Sequence, residues 1–212
     1  MSSSENTPPP ITIILPPCKD NERILAIGIF SRVYLIDDKI VKKVPRSESE
    51  KDLQPIHREA LVYKILGTHP RIAEWLSKDE TDYVEIKYYP HSDVVKYIET
   101  NQNSISSALQ SKWFQQIIEA ITYIHSREII HSDLALRQFF IDDDFNLRLG
   151  DFNASRCPEH IALGYEKASH CLPRDYEGPN TEASDIFAMG STLYELVTGQ
   201  VPYGELYPPM PG

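Results

Sequence analysis

Residues 131–153 read HSDLALRQFFIDDDFNLRLGDFN. Two carboxylates, Asp133 and Asp151, punctuate the stretch, and between them two short apolar runs flank an Asp-rich turn, as two short strands joined in a hairpin would. Such a hairpin brings both acidic residues out of loops at one edge. On the C-terminal side, residues 157–180 contain Pro, Gly and few apolar repeats and read as a long surface loop. A helix follows over about 181–198, stopped by Gly199. On the N-terminal side, Phe114, Ile117, Ile118, Ile121 and Ile124 form the apolar face of a helix reaching about Ser126. Residues 83–89 are strand-like. Residues 55–66 show helical spacing through Ile56, Ala60, Tyr63 and Leu66. The runs ILAIG, RVYLI and KIVKKV between positions 23 and 44 predict three antiparallel strands, with Asp37-Asp38 turning between the second and third. Residues 1–22 mix Ser, Asn and Pro and read as a flexible leader.

The chain has 212 residues, 41% of them hydrophobic and 25% charged, as in ordinary globular proteins. A formal net charge of −10 without a compensating basic cluster argues against nucleic acid as a partner. The cysteines Cys18, Cys157 and Cys171 are odd in number and lack metal-ligand spacing, which fits a reducing compartment. The early apolar run at 11–15 is too short to span a bilayer, and no signal peptide or anchor is read. A soluble protein of the cytoplasm or nucleus is expected.

Two carboxylates at one edge suit phosphoryl transfer, in which one accepts the proton of the attacking hydroxyl and the other holds magnesium on the phosphates. At this point HSDLALRQ resembles the H-R-D-L-x-x-x-N loop of the protein kinase family and DFN resembles its D-F-G. Residues 184–196, SDIFAMGSTLYEL, resemble the central helix of that family's C-terminal lobe. Each motif alone is weak, and their order and spacing over residues 23–203 carry the likeness. The resemblance implies an α+β, two-lobe fold. A β-rich N-lobe with one helix would span 23–86, a hinge 87–93, and a mainly helical, partial C-lobe lacking its last helices 94–212.

The resemblance also assigns residues. Asp133 becomes the base that orients the hydroxyl and Asp151 the magnesium ligand, with Gln138 beside it. Ala26-Ile27-Gly28-Ile29-Phe30-Ser31-Arg32-Val33 reads as a degraded Gly-rich loop, with Ala26 and Ser31 at two glycine positions and Val33 beyond. Lys43, with Lys42 still open, meets the phosphates and pairs with Glu59. Lys43 puts Val41 on the same strand face, toward adenine. Ile86 is the gatekeeper, Tyr88 and Tyr89 offer backbone groups to the adenine edge, Asp93 meets the ribose, and Phe140 floors the purine. Asp185 ties the central helix to the loop at Asp133. His131 reads as core packed on Phe152 rather than as a proton acceptor, and Phe187, Met189 and Tyr194 also read as core.

Several positions depart from the family. Ser132 replaces the arginine that commonly clamps a phosphorylated loop, so switching by loop phosphorylation loses its usual charge partner. Gln138 replaces a metal-binding asparagine and is longer by a methylene. Asn153 replaces glycine, a mild change because asparagine tolerates left-handed backbone. Ala135 removes a lysine, and Arg137 is placed to supply that positive charge. Arg174 reverses the charge expected in A-P-E, with Asp175 as a substitute. The chain stops soon after Asp185, so Ile186, Phe187, Met189, Leu193, Leu196 and Val197 are expected to leave apolar surface open, giving low stability, self-association or a partner covering that surface.

The resemblance thus implies an ATP- and Mg²⁺-dependent kinase acting on serine or threonine of a protein substrate. A pseudokinase serving as a nucleotide-binding or scaffolding module is the second reading. A small-molecule phosphotransferase like the aminoglycoside kinases is the third, and DFNAS and SDIFAMGSTLYEL argue against it.

Overall fold

Asp37 and Asp38 take φ of 50° and 53°, left-handed values that aspartate tolerates in the three-residue loop 37–39 between the paired Ile36 and Ile40. They join β2 (Ser31–Ile36) to β3 (Ile40–Pro45). With β1 (Glu22–Ile27) and β4 (Val84–Lys87) these make one antiparallel sheet in the order β1-β2-β3-β4. The computed structural model describes residues 19, 21–101, 105–175 and 178–206. The expected leader therefore lies almost wholly outside the described residues.

Helix α1 spans Glu50–Leu66, five residues longer at its start than the apolar spacing predicted. Ser49 is the reason, since its hydroxyl accepts from the Asp52 N–H and caps the helix. Pro55 therefore lies inside the helix, where it leaves the carbonyl four residues earlier without its usual donor. Helix α2 (Val94–Asn101) is followed by α3 (Ser107–His125), and β5 (Phe139–Ile141) pairs antiparallel with β6 (Leu147–Leu149).

The buried face of α3 is Trp113, Gln116, Ile117, Ala120, Ile121 and Ile124. Phe114 and Ile118 are each 38% exposed, so the face predicted from the sequence was rotated toward solvent. Trp113 and the polar Gln116 occupy the inward positions. Gln116 stays inside because its side chain accepts from the Leu147 N–H and donates to Asn146.

Helix α4 (Glu182–Thr198) starts at a Thr181–Ser184 capping box and ends at Gly199 with φ 68°. Ala188 and Leu196 are buried, while Ile186 and Val197 are more than half exposed and Tyr194 nearly so. Tyr194, which the sequence placed in the core, is thus a surface residue. Of the six residues expected to leave apolar surface open, only Ile186 and Val197 are exposed; Phe187, Met189 and Leu193 are half-buried and Leu196 is buried against the core. The loop over 157–180 is not all surface either, since Cys157, Glu166, Ser169 and His170 are buried. Among the described residues no helix is long and apolar enough to cross a membrane.

Candidate active site

A cavity of about 650 Å³ is walled by the sheet residues Val33, Val41 and Ile86 and by Phe140 of β5. Every residue given a part in catalysis or in holding nucleotide or cation lines it except Gly28 and Asp133. Those two line an adjoining cavity of about 430 Å³, which shares Ala26, Val33, Lys43 and Asp151 with the first. The structure therefore gathers residues from position 26 to position 151 at one continuous cleft. Leu25, Val84 and Lys87 also line it and were not foreseen. Leu25 and Lys87 are chain neighbours of residues that were, which is the signal that would have found them.

Strand alternation settles which lysine faces the cleft. Lys43 Nζ lies 2.7 Å from Glu59 and 2.5 Å from Asp151, whereas Lys42 pairs with Glu85 at 2.8 Å and sits over the Tyr83 ring. Burial alone would pull the Lys43 ammonium down, but Asp151 and Glu59 outweigh it and hold it above its ordinary value. Burial pushes the Glu59 carboxyl up against the pull of Lys43. For Asp151 burial also pushes upward, but the charge and hydrogen bond of Lys43 win and keep the carboxyl below its usual range. Asp151 has φ 60° and ψ 57° and opens the 3₁₀ turn Phe152–Ala154. Just before it, a Cβ on Gly150 would come within 2.8 Å of the Phe140 ring, so this position needs glycine. Phe152 packs edge-on to Tyr63 and against His131, whose ring is fully buried.

Asp133 is held from two sides. One Arg137 nitrogen lies 2.7 Å from both carboxylate oxygens. The Gln138 amide donates at 3.0 Å to one of those oxygens and at 3.1 Å to the Asp133 carbonyl. Gln138 is thereby turned toward Asp133, an arrangement that the extra methylene permits. The turn itself depends on Asp185, which is fully buried and accepts from the His131 N–H at 2.7 Å and the Ser132 N–H at 3.1 Å. Ser132 carries φ 68°. Replacing Asp185 by Asn puts an NH₂ group among donors and forfeits a hydrogen bond to a charged group, a loss of about 1.5–3 kcal/mol. Thermal denaturation of Asp185→Asn should show a midpoint lower by roughly 4–10 °C, and an unchanged midpoint would contradict this role for Asp185.

At the adenine-side edge, the Tyr88 N–H is engaged by the Lys39 carbonyl at 2.7 Å. Among the described residues no hydrogen bond engages the Tyr89 N–H. Tyr89 instead stacks its ring with Phe140, with centroids 5.9 Å apart. Asp93 accepts from the Lys96 N–H and so caps α2, leaving its second oxygen toward Ser92 and Lys96. The Gly28 N–H closes the β1–β2 turn on the Ser31 carbonyl at 2.8 Å, and a Cβ at Gly28 would meet only ordinary contacts. Arg174 pairs with the buried Glu166 at 3.0 Å and with Asn180, while Asp175 stays exposed. The reversed charge at 174 is thus balanced from within its own loop.

The cavity volume, its apolar walls and the ammonium at its inner end fit an adenine nucleotide. Among the described residues no group of three or more His, Cys, Asp or Glu side chains is placed to hold a metal alone. A cation bound here would need oxygen ligands beyond the protein's carboxylates, such as phosphate oxygens or water.

Sheet, helices and cleft together define a kinase-like protein. A family model described as protein kinase domain matches residues 21–207, and the chain belongs to that family. It is similar to the serine/threonine-protein kinase SIK2 of Gallus gallus, 28% identical over 202 residues that cover 87% of this chain and 25% of that protein. The serine/threonine-protein kinase SIK1 of Rattus norvegicus is 28% identical and that of Mus musculus 27%, with the same shares covered. The chain spans about a quarter of the length of these relatives.

Proposed function

We propose that this chain transfers the γ-phosphate of ATP to a serine or threonine hydroxyl of a protein. The observation that carries this reading is the Glu59–Lys43–Asp151 chain facing the Arg137-held Asp133 across two joined cavities. Bound MgATP would supply the phosphoryl group and the cation that spreads its charge. The protein's own residues do the positioning. Val33, Val41 and Phe140 enclose the purine, with Ile86 behind it, and the Tyr89 N–H is the free backbone donor at its edge. Lys43, fixed by Glu59, directs an ammonium at the phosphates, and Asp151 is the protein's ligand to the cation. Asp133 orients the incoming hydroxyl and takes its proton, while Arg137 keeps that carboxylate in place. The test is transfer from labelled ATP onto a mixed peptide array with and without magnesium. Transfer to serine and threonine peptides that requires magnesium is expected, and labelling of small hydroxylated amines alone would overturn the reading.

One observation favours a pseudokinase. Gln138 stands where the family has asparagine: its NH₂ donates to the Asp133 carboxylate and carbonyl, and its carbonyl oxygen sits on an arm one methylene longer than the asparagine that would offer it to a metal. ATP turnover that depends on magnesium separates the two, since a binding module would hold nucleotide without consuming it.

Ser132 makes a further expectation. It is fully buried, and its hydroxyl accepts from the Arg156 N–H where an arginine would meet a phosphate. Protein purified without phosphorylation of residues 154–172 should therefore be as active as phosphorylated protein. Inactivity of bacterial material until a loop serine or tyrosine is phosphorylated would refute this.

A further inference from the structure

Arg58 stands next to Glu59 on α1, is 5% exposed, and has no part in the cleft chemistry above. One of its guanidinium nitrogens donates to the Ser155 carbonyl and to the Ile161 carbonyl, each at 2.5 Å. Among the described residues no carboxylate lies within ion-pair distance of it, and burial pulls the guanidinium below its ordinary value. A buried cation without a counter-ion is unfavourable unless carbonyl oxygens solvate it, and here two carbonyls of one segment do so. The opposite side of that segment is also fixed. The N–H and C=O of Arg156 bond to Ile130, and the Arg156 N–H reaches the Ser132 hydroxyl. The stretch running on from Asp151-Phe152-Asn153 is thus held between the turn at 130–132 and α1.

We infer that Arg58 is a positioning residue, locking α1 to the Ser155 and Ile161 carbonyls so that Glu59 stays against Lys43 without a phosphate on that segment. Consecutive residues on a helix point about 100° apart. One therefore grips the segment while the next faces Lys43. A rotation or shift of α1 that withdrew Glu59 would tear Arg58 from both carbonyls. The inference rests on the kinase reading for the value of Glu59, but the geometry it invokes can be measured without activity.

The test compares the unphosphorylated full chain with its Arg58→Gln and Arg58→Lys variants by amide hydrogen exchange and MgATP affinity. In Arg58→Gln, exchange over 153–163 should quicken at least about tenfold while α3 and α4 keep their protection. MgATP affinity should fall about tenfold, in the usual range for coupling between sites, and Arg58→Lys should recover part of both effects. Adding Glu59→Gln to Arg58→Gln should weaken MgATP binding little further, because both act through one ion pair. Unchanged exchange over 153–163, or an equal loss of protection throughout the molecule, overturns the role. Full additivity with Glu59→Gln also overturns it. Failure of the parent chain to bind MgATP would instead count against the nucleotide reading, and the exchange data would still decide on Arg58.

Discussion

Asp133→Asn is expected to lower phosphate transfer by roughly 10²- to 10⁴-fold, the contribution of a positioned general base. Asparagine keeps the shape of the side chain and can still accept from Arg137 and Gln138, so the turn should persist. What it loses is the second anionic oxygen and with it the capacity to take a proton. Asp133 lines the smaller cavity and not the larger one, so MgATP affinity should stay within about twofold of the parent value. Steady-state transfer and nucleotide titration on the same folded preparation check both halves. Transfer that survives unchanged would remove Asp133 from the chemistry.

Asp151→Asn should act on the other term. The loss is expected in magnesium-dependent nucleotide binding, with the dissociation constant rising about 10- to 100-fold, or roughly 1.4–2.7 kcal/mol. Two effects combine. The amide is a poorer ligand for a hard cation than a carboxylate, and Lys43, only 14% exposed, is left with Glu59 as its single anionic partner. In the presence of a chelator the variant and the parent should converge. Equal weakening with and without magnesium would show that Asp151 serves only to hold Lys43.

Much of this was legible in the sequence, for reasons that differ by element. The hairpin at Asp37-Asp38 and the cap at Gly199 could be read because left-handed backbone is confined to few residue types. Lys43 and Glu59 came from the resemblance to the kinase family, with Lys42 left open, and it is the ion pairs of the folded chain that separate the two lysines. The start of α1 was missed because proline is more familiar at a helix's first position than in its second turn, and the Ser49 cap lay outside the apolar pattern. The rotated face of α3 has a similar origin: Phe114 and Ile118 fit the helical period as well as Trp113 and Ala120 do, and only the tertiary contacts decide. Arg58 was invisible because an arginine before a helix glutamate ordinarily reads as a solvated charge. Nor could the turn of Gln138 toward Asp133 be read, since it depends on rotamers in a loop and not on spacing.

The hydrogen bonds from the His131 and Ser132 amides to Asp185 bridge more than fifty residues, 54 in the case of His131. Synthesis delivers the sheet, α1, α2, α3 and residues 131–133 before Asp185 exists. Until α4 has formed and docked, two amides lack their acceptor, and the left-handed Ser132 is held through its hydroxyl but not through its N–H. Closing so long a loop is slow relative to local pairing. The turn that carries Asp133 is therefore set late in assembly, and a nascent chain halted short of α4 would own the walls of the cleft without its working edge.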